Sequence, residues 1–506
     1  MSVLDWVAIA AAVGILAFLV VHHVAPHEVA HTPHVAAAHG AEMHAPTEGH
    51  ATPPGYEIPP VWACLPFAFL LLAIAVLPLV SATEHWWESN KNRLCVALGL
   101  AAATLVYYAV VHPLTYNHET LATYSGVQSV IHILEHAVLI EYVPFIVLLF
   151  SLYVISGGIS LRGDLVAEPA TNTAFLAVGG ALASFIGTTG ASMLLIRPLL
   201  QTNSERKHVR HTVIFFIFIV SNCGGLLLPI GDPPLFLGYL RGVPFLWTFS
   251  LLPEWLFVVV ALLVIYFLWD RRMHRTEAPR DIRRDETQKT RLTLKGKVNF
   301  AFLVGIVLCV GLVDPSKEFL GLGFKPFPFM RELLMLGLVA LSLKVTSKKI
   351  YKDNQFNYHA ILEVAALFIG IFICMQVPIE ILNHKGAALG LSKPWQFFWM
   401  TGALSAFLDN APTYVVFFET ARVMPAGGDP VTLASGTIDS GLLVAISLGA
   451  VFMGALTYIG NGPNFMVKSI AEQSGVRMPS FFGYMSYSVL ILVPLFIVVM
   501  AVFLLR

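Results

Sequence analysis

Long apolar runs separated by short polar segments fill most of the 506-residue chain. Runs that approach the ~20 residues needed to cross the hydrocarbon core of a bilayer lie at 3–21, 61–82, 94–112, 137–159, 245–268, 298–313, 330–346, 359–382 and 482–505. Together with two interrupted spans described below, this pattern predicts an all-α polytopic membrane protein with about 11 transmembrane helices.

Two further apolar segments are each divided into a pair of short arms. The segment 171–200 is interrupted by Gly187-Thr-Thr-Gly190, and the segment 395–423 by Asp409-Asn-Ala-Pro412. We expect the arms to be too short to cross the bilayer. Both segments are therefore predicted to be re-entrant hairpins.

Two other segments, 212–241 and 441–475, begin as apolar helices and are then interrupted midway. In the first, a Gly pair, three Pro and one Asp follow each other between Ser221 and Phe236. Backbone that leaves a helix within a bilayer must be buried in protein or line a cavity, because lipid offers no hydrogen-bond partners. We therefore predict paired broken helices that carry a site.

The two halves of the chain repeat each other. Glu141 and Glu363 are 222 positions apart, and the two hairpin interruptions fall in register at the same offset. Pro229-Ile-Gly-Asp-Pro-Pro-Leu-Phe236 aligns with Tyr458-Ile-Gly-Asn-Gly-Pro-Asn-Phe465 at an offset of 229. Recurrence of several features in the same order indicates an internal repeat.

The charge distribution predicts that this repeat is inverted. Residues 270–297 carry ten Lys or Arg and five Asp or Glu, which indicates a water-exposed cytoplasmic linker. With that linker inside, the other basic segments also fall inside, and five crossings separate the Glu141 run from the Glu363 run. The predicted regions are an N-terminal helix and His-rich loop (1–60), additional transmembrane helices (61–134), a first inverted repeat (135–269), the linker (270–297) and a second inverted repeat (298–506).

Composition agrees with a multi-pass protein, which we expect in the cell inner (plasma) membrane. Hydrophobic residues make up 57% of the chain and charged residues 12%, far below the ~25% charged residues of soluble domains. The 31 basic and 31 acidic residues balance, so nothing favours nucleic acid as a partner. The five Cys show no spacing typical of disulfides or metal sites.

Polar residues at the interruptions are the candidate site. Asp232 and Asp409 are the carboxylates placed deepest in apolar sequence, and an Asp at the centre of a spanning helix costs about 2.5–3.5 kcal/mol on insertion scales. Amide and hydroxyl oxygens around them suit hard cations such as Na⁺. The candidate ion- and substrate-binding residues are Asp409, Asn410, Thr413, Asp232, Asn222, Thr188, Thr189, Ser192, Asn461 and Asn464.

Each of these residues also has a structural interpretation. Asp409 could cap the second hairpin arm, Gly-Asp-Pro-Pro at Asp232 is a good turn sequence, and the Thr and Ser hydroxyls could bond back to their own helices. Glu141 and Glu363 begin their apolar runs, so a solvated interfacial position is at least as well supported as a relay role. Arg197 and Glu419 occupy equivalent positions, and we interpret them as anchors.

The hairpins and breaks resemble the ion transporter superfamily, which includes NhaD-type sodium/proton antiporters, arsenite permeases and citrate/dicarboxylate carriers. The phrases that carry the resemblance are Ser221-Asn-Cys-Gly-Gly-Leu-Leu-Leu-Pro-Ile-Gly-Asp-Pro-Pro234 and Leu408-Asp-Asn-Ala-Pro-Thr-Tyr414, and it covers about 135–505. It implies secondary transport by alternating access. The doubled Ser-Asn-Thr signature of the dicarboxylate carriers is absent from the two hairpin tips.

The first hypothesis is therefore a sodium/proton antiporter, in which Na⁺ and H⁺ compete for membrane carboxylates. The alternative is a cation-coupled citrate or dicarboxylate transporter, with hydroxyls, amides and helix N-termini as anion donors. A remote alternative is a membrane-embedded metalloenzyme using the eight His of 22–50. We expect no catalytic residues, no cofactor and no metal beyond a transported cation. A carboxylate anion as a further partner and a homodimeric assembly are left open.

Overall fold

A computed structural model describes residues 57–112, 114–117, 122–280, 290–315, 318–319, 322–425, 427, 429–433 and 436–505. The apolar run 3–21 and the His-rich loop lie outside the described residues. The first helix and the metalloenzyme alternative therefore stay predictions.

The described residues are mostly helical, as expected. The helices are α1 Leu65–Val76, α2 Glu84–Trp87, α3 Asn90–Val111, α4 Val127–Gly157, α5 Pro169–Ile186, α6 Thr188–Thr202, α7 Arg210–Ile219, α8 Pro233–Leu240, α9 Leu252–His274, α10 Val298–Leu312, α11 Met330–Val345, α12 Lys348–Asp353, α13 His359–Cys374, α14 Gln376–Lys385, α15 Pro394–Phe407, α16 Asn410–Arg422, α17 Ser440–Met453, α18 Gly462–Gln473 and α19 Phe481–Val499.

Three two-stranded antiparallel ribbons join helices at their ends. They pair β1 Leu114–Asn117 with β2 Ala122–Ser125, β3 Ser160–Asp164 with β4 Thr290–Lys295, and β5 Pro430–Thr432 with β6 Thr437–Asp439. Their strands have three to six residues, so the search for long apolar runs did not predict these ribbons.

Six helices of the described residues are long and apolar enough to cross a membrane, or seven when the α13–α14 pair, bent by 40°, counts as one span. The predicted number of about 11 is not confirmed. The difference arises because several predicted runs form shorter helices, such as α10 with 15 residues and α11 with 16.

The first broken helix lies at the centre of the protein. In the 18 residues Arg210–Leu227, 94% are buried, against 28% of an apolar 18-residue window of Trp247–His274 and 22% of one in Asn90–Val111. A helix that is apolar on all sides and also buried must be surrounded by other helices, whereas the exposed apolar faces of α3 and α9 suit lipid. The interrupted backbone is therefore shielded from lipid, as the argument from hydrogen bonding requires.

Both predicted hairpins and both broken helices are present. The first hairpin, α5 and α6, reverses at Gly187, whose φ of 77° favours glycine. The second hairpin, α15 and α16, reverses at Leu408 and Asp409. The expectation of arms too short to cross is wrong for α5, whose 18 residues meet the length and hydropathy of a span. Its continuation nevertheless turns back as α6 and packs against it.

The hairpins interlock the two halves. The second arm of the first hairpin, α6, packs on α18, which ends the second broken helix. In the same way α16 packs on α8, which ends the first broken helix. Each broken helix is therefore held by a hairpin of the opposite half.

Two equivalent glycines allow the breaks to fold tightly. A Cβ at Gly231 would press on the carbonyl oxygen of Gly225, and a Cβ at Gly460 would lie 2.6 Å from the carbonyl oxygen of Gly454. Gly231 and Gly460 are 229 positions apart, as are Gly225 and Gly454. The same close approach therefore recurs in both halves, which explains why glycine is repeated in the aligned phrases.

Two sequence expectations need correction. α4 begins ten residues before the predicted run 137–159. Val127–Leu134 is already α-helical, and a π-helical segment that starts at Glu135 joins it to the apolar run. Glu141 consequently lies within the helix and is 3% exposed, so of the two interpretations left open for it a solvated position does not hold. The side chain of Glu363 is 36% exposed and lies beside Arg93.

The segment 270–297 is more than a water-exposed linker. α9 continues to His274, and the fully buried Asp270 lies 2.6 Å from Arg206 and 2.8 Å from His211. β4 pairs with β3, so the end of the segment is also structured. Burial of Asp270 was not predictable because its partners lie about 60 residues earlier. Residues 281–289 are outside the described residues.

We expect Gly231→Ala to lower the apparent melting temperature in detergent, because the added Cβ must displace backbone, an overpacking that costs about 1–3 kcal/mol. Gly337→Ala is the matched control. Gly337 lies within α11 with no atom within 4 Å of an added Cβ, so this change should leave stability unchanged or slightly raised. Equal melting temperatures for the two variants would contradict the close approach at Gly231.

Candidate ion and substrate site

Four chain breaks come together in the interior of the protein. Thr188 and Asn410 begin the second arms of the two hairpins, and Asp232 and Asn461 are the N-cap residues of α8 and α18. Proline lies in the first turn of both α8 and α18, where its fixed φ favours helix initiation and its missing N–H costs nothing. The sequence thus places four polar side chains at helix starts.

The carboxylate of Asp232 is the centre of this arrangement. Its side chain is 1% exposed and accepts three hydrogen bonds. The Thr188 hydroxyl donates to Oδ1 at 3.0 Å, the Asn461 amide donates to Oδ1 at 3.1 Å, and the Asn410 amide donates to Oδ2 at 2.7 Å. One donor comes from the first half and two come from the second, so the carboxylate joins both halves.

These four residues are two equivalent pairs. Thr188 and Asn410 are related by the offset of 222, and Asp232 and Asn461 by the offset of 229. Asn461 donates to its equivalent residue Asp232, and the equivalent residues Thr188 and Asn410 both donate to the same carboxylate. Only Asp232 of the four is an acid, so equivalent positions of the repeat carry different chemistry.

A second layer of amides continues the contact between the broken helices. Asn222 donates through Nδ2 to Oδ1 of Asn464 at 2.7 Å and accepts at Oδ1 from Asn461 at 3.3 Å. Asn464 donates in turn to the carbonyl oxygens of Gly454 and Thr457, both at 2.9 Å. Side-chain amides therefore satisfy the carbonyls that the break leaves without helical partners.

Other predicted residues lie near this centre but make local bonds. The Asp409 side chain accepts from the Ala411 N–H at 3.1 Å and caps α16, and Thr413 donates to the Asp409 carbonyl oxygen at 3.0 Å. Asp409 therefore acts as the helix cap, and Thr413 bonds back to its own helix, as the structural interpretations of these residues proposed. Ser192 hydrogen-bonds Ser221 at 2.9 Å, and Thr189 is partly exposed on another face of α6.

Some residues of the site were missed. Ser221 accepts from Asn461 through its carbonyl oxygen, and its place directly before Asn222 was an available signal. Ser184 and Ser405 bond carbonyl oxygens of the neighbouring broken helices, Gly224 at 2.5 Å and Ala450 at 2.7 Å. Ser184 lies in Ala181-Leu-Ala-Ser-Phe185 and Ser405 in the repeated phrase Ala403-Leu-Ser-Ala-Phe407, directly before each hairpin turn. The repeat therefore indicated where these serines lie, but not which carbonyl oxygens they contact.

One oxygen in the centre is left without a donor. Oδ1 of Asn410 is buried and has no hydrogen-bond partner, although its Nδ2 contacts Asp232. Leaving a buried acceptor unsatisfied costs about 1–3 kcal/mol. Together with the Asp232 carboxylate it offers the oxygen ligands that a hard monovalent cation prefers.

None of the hydrogen bonds to Asp232 comes from a basic side chain. Arg241, at the end of α8, instead belongs to a separate buried ion cluster. It contacts Glu141 through Nη2 and Glu419 through Nε at 3.1 Å, and Arg422 contacts Glu419 at 3.0 Å. This cluster joins α4, α8 and α16, and it confirms a structural anchoring role for Glu419. Sequence reasoning could not find it because its members are at least 100 residues apart, apart from the Glu419–Arg422 pair.

A family model described as "Putative citrate transport" matches residues 56–504. The match includes every element of the site and also the helices between 61 and 134, which the resemblance noted in the sequence did not cover. No curated protein matches the chain.

We expect Na⁺ to stabilise the purified protein and Asp232→Asn to abolish that effect. A ligand present at 100 times its dissociation constant adds about 2.7 kcal/mol to stability, so the melting temperature should rise with NaCl and not with choline chloride. Asn keeps the volume of Asp232 but removes the charge. Thr413→Val should retain the shift, because the Thr413 hydroxyl bonds only its own helix. A Na⁺-dependent shift that persists in Asp232→Asn would contradict the site.

Proposed function

Since the chain belongs to the family described as "Putative citrate transport", we propose that it is a secondary transporter that carries citrate or a related carboxylate, driven by a cation or proton bound at Asp232. One observation supports the driving step. The Asp232 carboxylate is buried, lacks a basic partner among its hydrogen bonds, and is contacted by polar side chains from both halves.

Burial makes the Asp232 carboxylate a coupling group. Three donors offset part of the cost of removing a carboxylate from water, but none of these described donors carries a positive charge. A proton or a bound cation can neutralise the carboxylate, and each excludes the other. Rotation of the Asn410 or Asn461 side chain would present its amide oxygen to the cation in place of its N–H₂ group.

Neutralisation also controls anion binding. A carboxylate cargo near a charged Asp232 would be repelled, whereas a neutralised Asp232 removes the repulsion. The N-termini of α6 and α16 would then offer positive dipole ends to the anion, and the hydroxyls of Thr188 and Ser192 could donate to it by rotating away from Asp232 and Ser221. Binding of the cation or proton would thus precede binding of the cargo, which is the order that symport needs.

The interlocked hairpins supply the moving parts. α6 rests on the broken helix of the second half and α16 on that of the first. Rigid-body rocking of these units about Asp232 would expose the site to one side and then to the other.

Exchange of Na⁺ for H⁺ is the second candidate, and a different observation favours it. The unpartnered oxygen of Asn410 and the carboxylate of Asp232 can both act as cation ligands, and none of the three described donors to that carboxylate is a basic side chain that would favour an anion. In this case the cation itself is the cargo, and the proton returns on the same carboxylate.

Transport in proteoliposomes tests the proposal. We expect uptake of radiolabelled citrate that depends on an inward Na⁺ or H⁺ gradient, and a fall in its initial rate of at least about tenfold in Asp232→Asn, corresponding to about 1.4 kcal/mol. Thr413→Val should transport at close to the wild-type rate.

A pH-sensitive dye in the same vesicles separates the two candidates. Absence of citrate uptake, with Na⁺-driven proton flux that Asp232→Asn abolishes, would select the exchanger. Gradient-dependent citrate uptake that is unchanged in Asp232→Asn would contradict the role given to this carboxylate.

A further inference from the structure

A cavity of about 550 Å³ opens beside the first hairpin, at the end of the protein where β3 pairs with β4. Its polar lining includes Arg162, Arg197, Gln201, Thr290, Thr293 and Asp353. Its volume falls in the range of about 300–1,000 Å³ that is typical of small-molecule sites. The cavity is separate from the Asp232 centre, since none of that centre's residues lines it.

Arg197 distinguishes this cavity from an ordinary surface cleft. In the part of the chain that the structure describes, its guanidinium makes no ion pair and no hydrogen bond, although it is only partly exposed. The other arginine, Arg162, is paired with Asp353 at 3.4 Å and also donates to its carbonyl oxygen at 3.0 Å. Two guanidinium groups and one carboxylate line the cavity, so the described lining has an excess of one positive charge.

The cavity follows one face of α6 towards the hairpin tip. Met193, Arg197 and Gln201 line it at intervals of four residues, which places them on the same side of the helix. Thr189 is one turn before Met193 on that face, about 6 Å away along the helix axis. Its neighbour Thr188 hydrogen-bonds Asp232. Arg197 is nine residues after Thr188, so a ligand at Arg197 would be about 14 Å along the helix axis from the turn that carries the site.

The equivalent position in the other half has the opposite character. Glu419 is 222 residues after Arg197 and is 4% exposed, with Arg241 and Arg422 as ion-pair partners. The second hairpin thus carries Glu419 in a buried cluster of paired charges. At the equivalent position of the first hairpin, Arg197 lines a cavity and has no ion-pair partner among the described residues. A purely structural anchor would be expected to have a partner, as Glu419 has.

We propose that this cavity is the entry site for the anionic cargo, in which Arg197 binds a carboxylate of a di- or tricarboxylate before the anion reaches the hairpin tip. The planar guanidinium can donate two parallel hydrogen bonds to one carboxylate group. The excess positive charge raises the local concentration of anions at the entrance. The identity of the anion rests on the proposed function, whereas the binding site rests on the cavity and Arg197.

Equilibrium binding of radiolabelled citrate to the purified full-length protein, together with citrate transport in proteoliposomes, tests this site. We expect Arg197→Gln to weaken binding and to raise the KM for citrate by at least about tenfold, with little change in maximal rate. Arg197→Lys keeps the charge but loses the planar pair of donors, and should fall between wild type and Arg197→Gln.

Arg272→Gln is the control for a general loss of positive charge. Arg272 is exposed on α9 and lies outside the cavity, so binding and KM should stay at wild-type values. Competition by succinate and by inorganic phosphate distinguishes the ligand. Displacement by succinate and weak displacement by phosphate would support a carboxylate site, whereas strong displacement by phosphate alone would overturn it in favour of a phosphate or lipid-headgroup site.

The entry site and the proposed function can fail separately. Citrate transport with an unchanged KM and unchanged binding in Arg197→Gln would overturn the entry site and leave the transporter proposal intact. If citrate binding depends on Arg197 but the protein does not transport citrate, the anion site would be supported and the proposal that citrate is the transported substrate would be overturned. Asp232→Asn should lose transport and retain binding, because its carboxylate lies outside the cavity.

Discussion

A single buried carboxylate, that of Asp232, determines how the rest of the protein must be arranged. A carboxylate in the interior of a membrane protein needs donors, and the local backbone of a broken helix cannot supply enough of them. Thr188, Asn410 and Asn461 provide them from three other chain breaks. The two hairpins must therefore end at the same depth, and the two broken helices must meet there. The N-termini of α6 and α16 add their positive dipole ends to the same point.

Under the proposed function, the same arrangement would make the centre sensitive to ions. Three neutral donors stabilise the carboxylate without neutralising it, so a proton or a cation can still change its charge. The buried oxygen of Asn410 that lacks a hydrogen-bond partner is a further potential ligand beside this carboxylate. Transport requires such a group, because a fully neutralised ion pair like Glu419 with Arg241 would have little tendency to bind and release an ion.

The internal repeat made much of this centre predictable. Aligning residues 229–236 with 458–465 matches Asp232 with Asn461, and the hairpin offset matches Thr188 with Asn410. The repeat predicted that these equivalent breaks meet, and the structure brings Thr188, Asp232, Asn410 and Asn461 together. The individual hydrogen bonds did not follow, because Asp409 and Thr413 looked equally suitable and instead cap and bond their own helix. The Arg241 cluster, the β3–β4 ribbon and the buried Asp270 depend on pairings between distant segments, which local periodicity does not encode.

The most direct measurement exchanges the two equivalent residues of the broken helices. Asp232→Asn should abolish stabilisation by Na⁺, and Asn461→Asp should weaken it at neutral pH, because two adjacent carboxylates share a proton that competes with Na⁺. The double variant Asp232→Asn/Asn461→Asp moves the carboxylate to the equivalent position of the repeat and should recover much of the Na⁺-dependent shift in melting temperature. A double variant as impaired as Asp232→Asn alone would contradict a single centre shared by the two halves.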